Sequence, residues 1–399
     1  MLSYLSKAPG IGGAIKSAPE DFLVEEIAPD GTVFEFERQI IRPDELGPYL
    51  HFVLQKNNWA TSSAISEIAK RLHTSQSNFN FAGSKDKLAI STQIASVRGL
   101  SKEAVSNLKI KDISINGVWG AKDRVHLGDL LGNRFTIRVQ GACEDAADKV
   151  ATIGGELKGM FPNYFGEQRF GSSRRNTHHV GERLLKGEIE EALLMYLCDS
   201  EGETHQEATL ARKELSETRD FALALKSFPS HLRLERSMLA HLARKPDDYT
   251  GALRCLPRNI LLMFIHAYQS DLFNRLLSDR ISEGPLELEE GEYFCGGTLG
   301  FPDLNKTEGE GWISARLIGY NTPLNPREKE LFDTLGIQKD AFRMKALPEI
   351  ASKGSYRTLL APLKDFNFNG DTTTFSFALP SGSYATVAMR EFMDSKTAR

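Results

Sequence analysis

Apolar and polar positions alternate through much of the first 170 residues. Phe22 and Val24 precede Glu26, and Phe34 and Phe36 interleave with Glu35 and Glu37, the two-residue period of strands at 22–26 and 33–38. Segments 49–54, 78–81, 90–97 and 134–139 (RFTIRV) read the same way. Among them, 62–73 sets Ala64, Ile65, Ile68, Ala69 and Leu72 at helical spacing. Strands with an occasional helix predict an α+β sheet domain.

The period changes near Gly181. Segments 188–197, 206–226 and 230–242 predict amphipathic helices, and 258–278 predicts one long buried helix. Residues 283–311 are acidic, Gly-rich and irregular, and alternation returns at Phe375, Phe377 and Leu379 before the turn Pro380–Ser381–Gly382–Ser383. Strand-rich segments thus flank a helical block, the pattern of a sheet domain interrupted by an insertion. The chain's 399 residues also exceed what one core usually supports.

Composition narrows the class. Hydrophobic residues make up 41% and charged residues 26%, an ordinary soluble balance. The formal net charge of −4 means that any nucleic-acid site must be a local basic face. Cys143, Cys198, Cys255 and Cys295 form no CxxC pair, which argues against a zinc ribbon and for buried free thiols in a reducing compartment. No long apolar leader or spanning stretch is present, and a cytoplasmic protein is expected. His178–His179 lacks a third ligand at useful spacing and reads as a surface pair, with no metal expected. His266 reads as a core histidine of the long helix.

Four stretches carry candidate chemistry. In 78–99 (NFNFAGSKDKLAISTQIASVRG) a strand runs into a small-residue turn, then Lys85–Asp86–Lys87, then a second strand. A carboxylate there is held by a sheet yet reachable, and two flanking lysines favour its ionised form. Gln93 is positioned to bond substrate or Asp86. By spacing alone a solvated hairpin tip is the commoner meaning. In 162–171 (PNYFGEQRFG), the amide Asn163 beside Tyr164 and Phe165 has the makings of a base-binding pocket, a ring to stack and an amide to read an edge. Core-filling aromatics are the plainer account. Segments 17–26 (SAPEDFLVEE) and 379–391 (LPSGSYATVAMRE) say less by themselves: an exposed strand edge and a hairpin.

Together these stretches resemble the TruD family of pseudouridine synthases, whose pattern runs PEDFxVxE, AGxKDKxAxTxQ, NYFGxQRFG and LPxGSxAT. They stand here at 19–26, 82–93, 163–171 and 379–386, with Ser91 where the pattern has Thr. Segment 127–139 (LGDLLGNRFTIRV) is also similar to the family, and the resemblance spans essentially the whole chain. It implies a discontinuous α+β catalytic domain, 1–180 with 343–399, interrupted by a largely helical inserted domain at 181–342. The inserted block looks longer than in bacterial members and more like the archaeal and eukaryotic branch.

By the same match, Asp86 is the catalytic aspartate, and Lys16, Phe22 and Lys85 lie near it. Asn163 and Phe165 line a uridine pocket. Tyr384 falls where bacterial members carry Phe, keeping the ring. The implied reaction is isomerisation of uridine, at position 13 of tRNA, without a cofactor. The carboxylate acts as nucleophile at C1′ or base at C2′. The implied partner is tRNA, with neither membrane nor DNA expected. Arg169, Arg174, Arg175, Arg233, Arg236, Arg244, Lys245, Arg254 and Arg258 are candidates for phosphate, fewer than half expected to reach it. The alternatives are a silent RNA-binding protein of the same fold, which has no need of Asp86, and another RNA-modifying enzyme such as a methyltransferase, for which no Gly-rich cofactor turn exists.

Overall fold

The computed structural model describes residues 2–394. The described residues form two compact units: one of 4–163, 297–303 and 360–394, the other of 2–3, 164–296 and 304–359.

Strands along the chain are β1 (Phe22–Ile27), β2 (Tyr49–Asn57), β3 (Phe79–Phe81), β4 (Ile90–Arg98), β5 (Ile113–Ala121), β6 (Gly132–Arg138), β7 (Met160–Pro162), β8 (Tyr293–Thr298), β9 (Phe301–Lys306), β10 (Trp312–Leu317), β11 (Ser355–Thr358), β12 (Leu360–Pro362), β13 (Lys364–Asn369) and β14 (Thr374–Pro380). Helices are α1 (Thr61–Arg71), α2 (Lys102–Ser106), α3 (Ala146–Leu157), α4 (Thr177–Lys186), α5 (Ile189–Cys198), α6 (Gln206–Thr218), α7 (Phe221–Ser227), α8 (Arg233–Leu242), α9 (Tyr249–Leu253), α10 (Arg258–Glu283), α11 (Pro326–Leu335) and α12 (Ala385–Met393).

The first unit is built on a mixed sheet in the order β13-β14-β6-β1-β4-β2-β5, with β3 also paired to β4. The fold is α+β, as the alternation predicts. β1 and β4 run parallel, Leu23 opposite Ile90, whereas β2 and β3 pair antiparallel to β4. The apolar stripe Ala64, Ile65, Ile68 and Ala69 of α1 packs with Phe52, Leu54, Ala95 and Val97 of the sheet. On the other face Phe34, Val53 and Trp119 form a smaller core. Strand parity therefore sorts β2: Phe52, Leu54 and Lys56 share one side, Val53 and Gln55 the other.

The predicted strand at 33–38 does not form. Val33 makes one bridge to Ile27, Phe34 is buried, and the chain turns away at Glu37 with a positive φ of 56°. The alternation there marks a single buried ring beside charged neighbours, Glu25 receiving the Phe36 amide and Gln55 that of Glu37. After β14 the chain makes no hairpin: it turns at Gly382 and enters α12, capped by Tyr384.

The second unit gathers α4–α10 around one apolar core, α4 lying along α10. Segment 206–226 is two helices, broken where Arg219 takes a left-handed φ of 53° and Asp220 caps α7. Segment 283–311, expected to be irregular, supplies β8 and β9 of a sheet ordered β11-β10-β8-β9. Its Gly and acidic residues mask a period too short to read. The unit's ends also differ from the expected breaks at 180/181 and 342/343. Residues of α4 pack with the helices, as do Phe342, Met344, Leu347 and Ile350, so residues 164–180 and 343–359 belong here. The cysteines are free, but only Cys295 is fully buried. No helix among the described residues is long and apolar enough to cross a membrane.

Gly132 opens β6 where it meets Pro380 of β14, and a Cβ there would lie 2.2 Å from the Leu379 carbonyl oxygen. Gly132→Ala should therefore lower unfolding stability by about 2–3 kcal/mol. A urea midpoint equal to wild type would show that β6 and β14 part freely.

Candidate active site

The loop 82–89 leaves β3 and returns as β4, an eight-residue excursion rather than the expected tight turn. It is tied down residue by residue. Gln93, fully buried on β4, donates its amide to the Gly83 carbonyl (2.8 Å) and accepts from the Thr61 hydroxyl (2.9 Å). Thr61, first residue of α1, in turn accepts the Lys85 amide at 2.9 Å. The Lys56 ammonium, with none of its surface exposed, donates to the Asp86 carbonyl at 2.9 Å.

Lys85 turns inward. Its ammonium meets Glu26 of β1 at 2.6 Å, the two side chains 5% and 0% exposed. Glu26 also accepts the Ile94 amide at 2.9 Å. Burial pushes the Glu26 carboxyl upward, and the charge of Lys85 opposes it. Of the two lysines that flank Asp86, Lys85 thus has a carboxylate partner of its own. Lys85 is spent on a carboxylate beneath the loop because an unpaired ammonium there would be prohibitively costly, and Lys87 is exposed.

The cation paired with the Asp86 carboxylate is Lys16, 70 residues upstream. The Asp86 side chain keeps 31% of its surface exposed, against 18% for Lys16. The segment before Lys16 is strapped down within the same unit. Leu5 and Ser6 donate to Glu391, Gly10 and Ile11 bond the backbone of Asp394 and Phe392, and Ala14 bridges Gln140. Lys16 takes a left-handed φ of 58° and its ammonium sits 4.3 Å from the centre of the Phe22 ring. Phe22 is buried edge-on to Phe135, 6.0 Å between centroids.

Asp21 explains the acid of the PEDF stretch. It is buried and accepts from Ala18 N, Arg138 Nε at 2.8 Å and Gln140 Nε2. Burial opposes its ionisation, but these donors win and hold its carboxyl below the usual range. It locks the turn between Lys16 and β1.

Asn163 is buried at the end of β7, and its Oδ1 accepts from the Ser383 hydroxyl at 2.9 Å, which ties NYFG to LPSGS next to Tyr384. Phe165 belongs to the other unit. Asn274 grips its backbone from both sides, accepting its N–H (2.8 Å) and donating to its C=O (2.9 Å). The Arg357 guanidinium lies 4.1 Å from the Phe165 ring centre and Phe273 meets the ring edge-on.

Several candidate phosphate ligands have partners within the fold, some buried and some at the surface. Arg174 donates to the Tyr196 and Asp199 carbonyls, Arg236 to Leu225 and Phe228, and Arg258 to Glu349. Arg254 pairs with Glu349, Arg175 with Glu167, and Arg169 donates to Ser270. Arg233, Arg244 and Lys245 are exposed. His178 is half-buried against Phe170 rather than a surface residue, its pKa pushed down to about 4 by burial and then by His179. His266 is only partly buried. Among the described residues no group of three His, Cys, Asp or Glu is placed to hold a metal ion.

The residues that sequence reasoning missed are Lys56, Thr61, Glu26 and Asp21. Lys56 had a legible signal, a lysine in phase with Phe52 and Leu54 on a strand's core side.

The site is thus an ion-paired aspartate on a braced loop of a mixed-sheet α+β unit, and comparison with known proteins places that unit among the pseudouridine synthases. The same comparison makes the assignment particular. The family model for tRNA pseudouridine synthase D (TruD) matches residues 1–392, and the chain belongs to that family. A probable tRNA pseudouridine synthase D of Thermococcus sibiricus is 39% identical over 98% of this chain and 97% of its own. One of Archaeoglobus fulgidus is 38% identical over the same shares. A crystal structure assigned to TruD of Methanosarcina mazei superposes with a TM-score of 0.76 at 33% identity, covering 98% of this chain and 95% of that one.

Removing one partner of the Glu26–Lys85 pair strands the other. Glu26→Gln should cost about 3–5 kcal/mol, and the double variant Glu26→Gln, Lys85→Met should recover much of it. Denaturant unfolding of the three proteins checks this; a single variant as stable as wild type would mean that the pair does not brace the loop.

Proposed function

We propose that this chain isomerises uridine to pseudouridine in tRNA, at position 13, with Asp86 as the catalytic carboxylate. The observation that carries the reading is the Asp86 carboxylate itself: partly exposed, ion-paired with Lys16, and mounted on a loop braced from beneath at residues 83, 85 and 86. RNA binding alone has no use for a carboxylate, which repels phosphate.

The reaction breaks the C1′–N1 bond, turns the uracil and joins C5 to C1′. N1 gains a proton and C5 loses one, so no electron or group is exchanged with another molecule and no cofactor is required. An anion near the ribose serves either route, addition to C1′ or removal of the C2′ proton. Lys16 keeps the carboxylate's orientation while the uridine, flipped from its stack, meets it. Phe22 supports Lys16 through the face of its ring.

In this reading the unit bearing Asp86 is the catalytic domain and the helical unit is the family's insertion. Asn163 and Tyr384 attend the uracil from the unit bearing Asp86, and within the other unit Asn274 and Arg357 steady Phe165. Gln93 and Lys85 act from behind the loop rather than on the substrate. The exposed residues Arg175, Arg233, Arg244, Lys245, Arg254 and Arg258 are the candidates for phosphate that remain from the original set.

Isomerisation must expel the hydrogen at C5. Unmodified tRNA carrying tritium at C5 should release it to water with wild type, and Asp86→Asn should abolish release while binding tRNA as before. Wild type that releases none from tRNA or total RNA would leave a silent RNA-binding protein as the better account.

A further inference from the structure

Lys56 is an odd residue for its position. It stands on β2 on the side that faces α1, in phase with the fully buried Phe52 and Leu54, and it is itself fully buried. An ammonium withdrawn from water is costly unless its charge is used. Its hydrogen bond goes to the backbone carbonyl of Asp86, the residue whose side chain is proposed to react.

We propose that Lys56 is a positioning residue: its ammonium, donating to the Asp86 carbonyl, holds the carboxylate in its reactive place, and it does so more firmly as a charged donor than as a neutral amine. This rests on the reading of Asp86 as the catalytic carboxylate.

The electrostatics agree with the geometry. Burial pushes the Lys56 ammonium down to about 8, the negative charge of Asp86 opposes that, and Lys85 adds to it. Asp86 and Lys85 are thus the charged groups acting on it, Lys85 neutralised by Glu26 and Asp86 by Lys16. Below that pH the charged anchor is present; as pH rises through about 8 it is lost, and the rate falls with it. Stability moves the opposite way. The unfolded lysine keeps its proton up to about 10.5, so between these values the unfolded chain binds more protons and Lys56's contribution to stability rises with pH. A lysine with a merely structural role would not make activity fall where stability gains.

The test follows single-turnover pseudouridine formation on unmodified tRNA at pH values on either side of 8 for wild type, Lys56→Arg and Lys56→Met. Amide exchange over residues 82–89 is followed in the same proteins. Wild type should show an alkaline limb near pH 8. Lys56→Arg, charged throughout, should remove that limb. Lys56→Met should slow the reaction about ten- to a hundredfold, the loss of one charged hydrogen bond, with tRNA affinity unchanged and exchange over 82–89 faster. A limb in the same place in wild type and Lys56→Arg, or Lys56→Met as fast as wild type, would overturn the proposal. Should Lys56→Met not fold, wild type and Lys56→Arg still decide it. Should wild type form no pseudouridine in any RNA, the assigned function fails; equal exchange in wild type and Lys56→Met would then overturn the positioning role, and faster exchange in the variant would support it.

Discussion

The buried pair of Lys85 and Glu26 is the contact on which the loop 82–89 depends. Both charges lie out of water, so neither tolerates the other's absence. Lys85 cannot swing out to solvent without stranding Glu26, and this commits the backbone of the next residue, Asp86, to one course. The Lys85 amide on Thr61 and the Lys56 ammonium on the Asp86 carbonyl complete a clamp at two successive residues. The carboxylate that projects from this clamp is directed by groups bonded to the loop backbone as well as by its own ion pair with Lys16.

Directing a carboxylate in this way takes strands from several parts of the chain. Glu26 comes from β1, parallel to β4, and the Lys85 loop departs where β3 leaves the β4 edge. Lys16 arrives from the N-terminal strap, which is sewn to α12 through Glu391 and to the end of β6 through Gln140. Asp21 holds the turn that joins strap to strand. In the PEDF stretch the acid and the aromatic both have structural tasks: Asp21 fixes the turn, and Phe22 carries the Lys16 cation on its ring.

The arginines of the helical unit illustrate how charge is consumed by folding. Arg174, Arg236 and Arg258 close helix ends or loop carbonyls, which satisfies backbone acceptors that would otherwise be orphaned. A basic count along a helix thus overstates the charge available to phosphate. Phe165 shows the converse economy, one Asn side chain fixing both backbone groups so that the ring's position is set by helix α10.

The α+β class, α1 and the long α10 were legible in the sequence, because two- and 3.6-residue periods are local properties; Asp86 drew notice through its motif, whose spacing alone reads as a solvated tip. The strand at 33–38 failed because alternation cannot tell a strand from one buried ring between surface acids. The sheet of β8–β11 went unread because Gly and acidic residues obscure a short period, and Gln206–Lys226 looked continuous because Arg219 gives no sign of adopting a left-handed φ. The partners of Lys85, Asp86 and Lys56 were beyond any local pattern. Which cation faces which carboxylate is decided by strand order and by which groups lose water together, and both exist only once the sheet has formed.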